Sequence, residues 1–89
     1  MSRPTFTFYC DPGHAWLKVN LALLEELGLV NKVSRYSYRS AEHAYLEEDC
    51  DAGLFLQAWQ ARTGSKPAIK TKFSNRESSI RRLARFGGE

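Results

Sequence analysis

The sequence has no long apolar run and few cysteines, and each scarcity excludes a class of protein. Its longest apolar run, residues 21–24, has four members, whereas a helix that crosses a membrane needs about 20. Two cysteines, Cys10 and Cys50, are too few for the disulfide framework of a small secreted protein. Residues 1–6 lack the apolar core of a signal peptide, so we expect a cytoplasmic protein with free thiols and no membrane partner.

The residues that are present suffice for a packed core. Hydrophobic residues make up 43% of the chain and aromatic residues 12%, which argues against wholesale disorder. A chain of 89 residues is expected to form one domain, and at that size it buries roughly 60–65% of its unfolded surface. We assign residues 1–86 to this domain and expect residues 87–89 to be frayed. Because the domain is small, the sequence is also compatible with a homo-oligomer.

Charge is distributed unevenly along the chain. Residues 1–61 carry five Lys or Arg against eight Asp or Glu, a net charge of −3. Residues 62–89 carry eight Lys or Arg against two Glu, a net charge of +6. A basic segment of this density indicates an acidic partner, and nucleic acid is the first candidate.

The first third of the chain predicts a hairpin followed by a short helix. Residues 5–9 alternate between apolar and polar side chains, as a strand does. The stretch 11–14 has the Pro-Gly pair of a type II turn, and residues 15–19 return as a second strand. Asn20 can cap a helix that Gly28 ends.

The rest of the chain predicts a second hairpin, a helix, a strand and a final helix. Residues 33–48 contain two β-rich stretches joined by a polar turn, and Asp51 can cap an amphipathic helix that Gly64 ends. Residues 67–73 alternate as a strand. The stretch 74–77, Ser-Asn-Arg-Glu, is a capping box that opens the last helix.

These elements follow one another in the order ββα-ββα-βα. That order predicts an α+β domain of two layers, in which helices pack on one face of a sheet. We expect the sheet to be mainly antiparallel and to have about five strands. The pattern does not fix the spatial order of those strands.

The basic segment supplies the candidate anion-binding surface. Three arginines flank the buried stripe of the predicted last helix, and two lysines point outward from the strand before it. Clustered cations of this kind contact phosphates and position a protein on nucleic acid. We therefore assign the phosphate contacts of a non-enzymatic binding module to Lys70, Lys72, Arg81, Arg82 and Arg85. An acidic protein surface, or a solvated face without a partner, remains an alternative.

Four carboxylates crowd the junction between the second hairpin and its helix. Helix capping and surface electrostatics account for most of them. A protein-interaction module that uses Glu47, Glu48, Asp49 and Asp51 is one alternative. A metal-dependent hydrolase is another, in which Asp11, Glu47 and Asp49 hold Mg²⁺ or a similar cation.

The histidines and cysteines form two pairs, which is a ligand mix that zinc accepts. Cys10 and His14 flank the first turn. His43 and Cys50 lie seven residues apart, about 20 Å along a strand at ~3.3 Å per residue, which is too far for one ion. Nothing in the sequence brings a cysteine and His14 together as nucleophile and base. We therefore assign no metal, cofactor or catalytic residue, and favour a protein that is not an enzyme.

Four short segments carry a resemblance to other proteins. Residues 11–19 read DPGHAWLKV and residues 45–51 read YLEEDCD, while Tyr-Ser-Tyr occupies 36–38 and Ser-Ile-Arg occupies 79–81. With these segments the chain resembles a group of small uncharacterised proteins of bacterial, phage and plasmid genomes. The group has no activity to carry over. The resemblance implies only mobile-element biology, in which small accessory proteins bind nucleic acid or host proteins.

Overall fold

A six-stranded mixed sheet organises the computed structural model, which describes residues 4–86. Its strands are β1 (Thr5–Cys10), β2 (Ala15–Asn20), β3 (Tyr38–Arg39), β4 (His43–Glu47), β5 (Ala68–Phe73) and β6 (Ala84–Arg85). The α-helices are α1 (Leu21–Glu26) and α2 (Asp51–Thr63), and single 3-10 turns form at Val30–Lys32 and Ser79–Arg82. The α+β class is therefore confirmed for a small single domain, and the frayed end predicted at 87–89 falls outside the described residues.

The spatial order of the strands is β5-β1-β2-β4-β3-β6. Only β1 and β5 pair in parallel; the other four pairs are antiparallel. The prediction of a mainly antiparallel sheet is confirmed, but the sheet has six strands because residues 84–85 add a strand beside β3. No helix in the described part of the chain is both long and apolar enough to span a membrane.

The first hairpin and both helices begin and end close to where local signals placed them, but the predicted type II turn is wrong, because Gly13 does not have the positive φ that such a turn requires. Asn20 Oδ1 accepts the Ala22 N–H at 2.9 Å at the start of α1. Gly64 ends α2 with a φ of 78°, a left-handed conformation that glycine adopts without a steric penalty. The residue that precedes α2 is Cys50, so Asp51 lies in the first turn of the helix and does not cap it.

The core lies on one face of the sheet. Leu17 and Leu46 on adjacent central strands are fully buried there. Phe55 of α2 meets Phe6 edge-on with ring centroids 5.1 Å apart, and Trp59 meets the same ring at 5.4 Å. Aromatic pairs in this geometry add to the stabilisation that comes from buried area.

The last predicted helix does not form. Residues 79–82 make one 3-10 turn, and the chain then extends into β6. Local capping stabilises a helix by only about 1 kcal/mol, and long-range contacts outweigh it here. Asp11 accepts the Ser78 N–H at 3.0 Å, Ile80 is buried against the sheet, and the Phe86 N–H donates to the Ser37 carbonyl at 2.7 Å.

The second face of the sheet is covered only in part. The register aligns one row of side chains across all six strands, in the order Lys70, Thr7, Lys18, Tyr45, Tyr38 and Arg85. A parallel row holds Lys72, Tyr9, Trp16 and Glu47. Residues 78–83 lie over the middle of this face, where Ile80 and Leu83 pack with Trp16 and Tyr38.

Candidate functional site

A cleft of about 310 Å³ opens on the second face beside residues 78–83. Its apolar surface comes from the rings of Trp16, Tyr36 and Tyr38. Its polar groups are an imidazole, two carboxylates, a thiol and two guanidiniums, which belong to His14, Glu47, Asp49, Cys50, Arg81 and Arg85. We call this site the hairpin cleft, because the turn of the first hairpin forms one wall.

Asp11 fixes that wall. Its Oδ1 accepts the N–H groups of Gly13 and His14 at 3.0 and 2.9 Å, and its Oδ2 accepts the Ser78 N–H at 3.0 Å. Arg81 adds two bonds, from Nε at 2.7 Å and from Nη2 at 3.0 Å. The Arg81 guanidinium, helped by the backbone donors and opposed by burial, holds the pKa of Asp11 far below its usual range.

The two guanidiniums of the cleft lie over adjacent aromatic rings. Arg81 Cζ is 5.2 Å from the centroid of Trp16, and Arg85 Cζ is 5.1 Å from the centroid of Tyr38. The two rings themselves are 6.1 Å apart, edge to face. Arg85 also donates from Nη1 to the Arg35 carbonyl at 3.0 Å. Stacking and hydrogen bonding thus hold one guanidinium over each of two neighbouring rings at the cleft wall.

Glu47 is a buried carboxylate at the end of β4. Its Oε1 accepts the N–H groups of Asp49 and Cys50 at 2.9 and 3.1 Å, which compensate for lost hydration. Its Oε2 lies 3.8 Å from Nδ1 of the exposed His14. That distance is longer than a direct hydrogen bond, so the carboxylate faces the imidazole without fixing its position.

Asp51 ties the segment that carries the tyrosines to the start of α2. It accepts the Ser34 N–H at 3.1 Å and the Ser34 hydroxyl at 2.7 Å. It also accepts the hydroxyl of the fully buried Ser37, whose oxygen accepts the Glu47 N–H at 2.9 Å. These bonds draw residues 33–37 toward α2, so the strand predicted from residue 33 onward shrinks to two residues, Tyr38 and Arg39.

The four carboxylates at the junction between β4 and α2 therefore differ in their exposure to solvent. Glu47 and Asp51 are buried and hydrogen-bonded inside the protein, whereas Glu48 and Asp49 are exposed. Two of the four carboxylates that were assigned to a protein-interaction surface, Glu48 and Asp49, are therefore accessible to a partner, and the other two are not.

The metal hypothesis grouped Asp11 with Glu47 and Asp49, and the fold does not gather those three. Among the described residues, the one group of carboxylates whose oxygens approach within 4.8 Å of one another is Glu47, Glu48 and Asp49. Asp11 is engaged by Arg81 and three backbone N–H groups. No set of three histidines, cysteines or carboxylates that includes Cys10 or His43 forms within residues 4–86.

The five cations assigned from the sequence do not form one surface. Lys70 and Lys72 are exposed on β5 and share the second face of the sheet with Thr7 and Tyr9. Arg81 and Arg85 line the hairpin cleft, while Arg82 is exposed on residues 78–83, the covering segment that lies over the second face of the sheet. The predicted last helix, which would have presented the three arginines on one side, does not form.

Among the polar contributors that were not assigned from the sequence are Lys18 and His14. Lys18 lies in the same cross-strand row as Lys70, and its alternation with the buried Leu17 and Val19 could have placed it on that face. His14 joins the cleft because its turn meets residues from the end of the chain. No pattern of neighbouring residues in the sequence indicates that this turn contacts residues from the end of the chain.

Cys50 is exposed at the rim of the cleft, yet its thiol is poorly suited to nucleophilic attack. Lost hydration, together with Glu47, Asp51 and Asp49, raises its pKa above the usual value. We expect a Cys10→Ser variant, which leaves Cys50 as the only thiol, to react with iodoacetamide more slowly at pH 8 than a short cysteine peptide. The midpoint of its rate-against-pH profile should lie above that of the peptide. A midpoint below the peptide's would contradict this assignment and would reopen a nucleophilic role.

In comparison with known proteins, no family model, no curated protein and no solved structure matches this chain.

Proposed function

We propose that the protein is a non-enzymatic module that binds single-stranded nucleic acid on the second face of its sheet. The surface consists of Lys18, Lys70 and Lys72 with the rings of Tyr9 and Tyr45, and we call it the lysine face. The observation that supports it most is electrostatic. Within residues 4–86, none of these three lysines forms an ion pair with a carboxylate, whereas Arg81 does.

The spacing of the lysines suits a flexible polyanion. Lys70 and Lys18 lie on either side of Thr7 in one cross-strand row, and two strand spacings separate them by about 10 Å. Lys72 follows Lys70 on the same side of β5, about 7 Å further along the strand. Three cations at such intervals can contact successive phosphates without reading base sequence.

Tyrosine rings next to the lysines provide surfaces for bases. Lys72 Nζ lies 5.8 Å from the centroid of Tyr9. Tyr9 and Tyr45 are both half-buried and border a shallow cavity of about 230 Å³ with Ser78 and Ser79. A base that stacks on such a ring gains about 1–3 kcal/mol.

These features favour a single strand over a duplex. Bases reach aromatic rings on a sheet only when they are unpaired and splayed outward. Residues 78–83 also stand above the middle of the face, where Ile80 packs on Trp16, and this ridge prevents a rigid duplex from lying flat.

We expect a Lys70→Ala/Lys72→Ala variant to bind a fluorescein-labelled oligonucleotide about tenfold more weakly than the wild type. Each lost phosphate contact should lower the steepness of the log–log salt dependence by about 0.7, or about 1.4 for two contacts. Fluorescence anisotropy at three NaCl concentrations measures both quantities.

A Lys32→Ala/Lys66→Ala variant is the matched control, because both residues are exposed and the net charge falls equally. Lys66 borders a cavity with Leu56 and Gln60 of α2, outside the lysine face. The proposal fails if the two double variants weaken binding equally, or if the wild type does not bind the oligonucleotide.

A further inference from the structure

We propose that the hairpin cleft binds one nucleoside monophosphate unit, with the phosphate at Arg81 and Arg85 and the base against Tyr36. This site is distinct from the lysine face, because the two surfaces share none of their defining side chains. The proposal therefore does not depend on nucleic-acid binding by the lysines. The occupant can be a free nucleotide or the terminal nucleotide of a strand, since both present the same phosphate and base.

The cationic end of the cleft is already organised for a phosphate. Bidentate bonds to Asp11 fix Arg81 over Trp16, and the Arg35 carbonyl fixes Arg85 over Tyr38. Arg85 has no carboxylate partner within residues 4–86. Arg81 uses Nε and Nη2 for Asp11, so the uncompensated positive charge at this end of the cleft is that of Arg85, and a bound oxyanion would neutralise it while accepting further hydrogen bonds from the guanidinium of Arg81.

Trp16, a residue of the same wall, carries a buried donor without an acceptor. Trp16 is only 2% exposed, and its indole Nε1 has no hydrogen-bond partner in the described structure. An unsatisfied buried N–H is unfavourable, so such groups usually meet an acceptor. The donors that the wall exposes are those of the two guanidiniums, which favour a ligand rich in acceptor oxygens, whereas the Trp16 N–H is shielded from the cleft and reports on its occupancy through the ring.

The other end of the cleft fits a ring and a sugar. Tyr36 is 65% exposed, which is unusual for an aromatic residue and leaves one ring face free for stacking. His14 and Asp49 offer hydrogen-bond partners for hydroxyl groups, and the volume of about 310 Å³ lies in the range of small-molecule sites. Inorganic phosphate would leave these groups unused. The carboxylates of Glu47 and Asp49 would repel a second phosphate group, so the site favours a monophosphate over a triphosphate.

Nuclear magnetic resonance of the two indole N–H groups tests the proposal directly. A Trp59→Phe variant identifies the Trp16 signal, which should move on titration with AMP, while the Trp59 signal of the wild type stays in place. Inorganic phosphate should bind at least tenfold more weakly than AMP, and ATP should bind more weakly as well. A Trp16 signal that does not move with millimolar AMP, or with a 5′-phosphorylated oligonucleotide, overturns the proposal.

Matched arginine variants complete the test. Arg85→Ala should weaken AMP binding at least tenfold, whereas Arg62→Ala should leave it unchanged. Arg62 is a fair control, because it also donates to a backbone carbonyl, that of Glu26 at 3.2 Å, and it lies outside the cleft. Equal affinities of the two variants would overturn the assignment. The Lys70→Ala/Lys72→Ala variant should bind AMP normally, so failure of one proposal is distinguishable from failure of the other.

Discussion

Replacing Asp11 with Asn lowers the free energy of unfolding by about 3 kcal/mol or more, which is the range expected when one partner of a buried ion pair is removed. The Asp11 side chain is completely shielded from solvent and accepts five hydrogen bonds. Two of its partners, Ser78 and Arg81, lie 67 and 70 residues further along the chain. The amide keeps the shape of the carboxylate but cannot neutralise Arg81, so the covering segment loses its main attachment.

Urea denaturation at pH 7 measures this loss. Asp49→Asn is the matched control, because the same change is made at an exposed carboxylate. We expect that control to change the free energy of unfolding by less than about 0.5 kcal/mol. Equal stabilities for the two variants would show that Asp11 does not hold the covering segment in place.

The same carboxylate makes stability depend on acidity. The pKa of Asp11 is lowered in the folded protein by the Arg81 guanidinium, and in the unfolded chain it returns to about 3.9. The stabilisation is therefore fully present above the unfolded value and is lost as the pH falls through and below it. The wild type should lose more stability than Asp11→Asn between pH 6 and pH 3, and the gap between the two should narrow.

Replacing Asp51 with Ala has the second largest expected effect, about 2–3 kcal/mol, because several buried donors then lose their acceptor. Those donors are the N–H and hydroxyl groups of Ser34 and the hydroxyl of Ser37. The change also removes a negative charge from the first turn of α2, where it interacts favourably with the helix dipole. Chemical denaturation, with the exposed Glu48→Ala as control, gives the difference in free energy.

Hydrogen exchange separates a local effect from a global one. In Asp51→Ala, the Ser34 amide should exchange much faster than in the wild type, because the carboxylate is its acceptor. A Ser37→Ala variant should share part of this loss, so the double variant should be less destabilised than the two single changes added together. Unchanged exchange at Ser34 would contradict the role assigned to Asp51.

Local signals predicted the parts of the fold that depend on neighbouring residues. The alternation of the first hairpin, the cap at Asn20 and the glycine at 64 all act within a few residues, and all three predictions are confirmed. The capping box at 74–77 was also a local signal, but it predicted a helix that does not form. Asp11, more than 60 residues away in sequence, binds the same segment and outweighs it.

The candidate site shows the same limit. The sequence indicated which residues are basic, but the direction of each side chain depends on strand register. Register places Lys70 and Lys18 in one row, and tertiary contacts turn Arg81 toward Asp11. The hairpin cleft combines residues from the first turn, from β3 and from the last strand. No spacing in the sequence reports that arrangement, because it exists only after the sheet has assembled.

The most direct measurement is a map of amide chemical-shift changes during titration of the ¹⁵N-labelled protein with a short single-stranded oligonucleotide. We expect the largest changes on the lysine face, at Thr7, Lys18 and Lys70, and none on the solvent side of α2 at Gln57 and Gln60. Raising the salt concentration should reverse these changes. Shifts confined to α2, or none at millimolar oligonucleotide, would contradict the claim that unneutralised lysines on this sheet bind a polyanion.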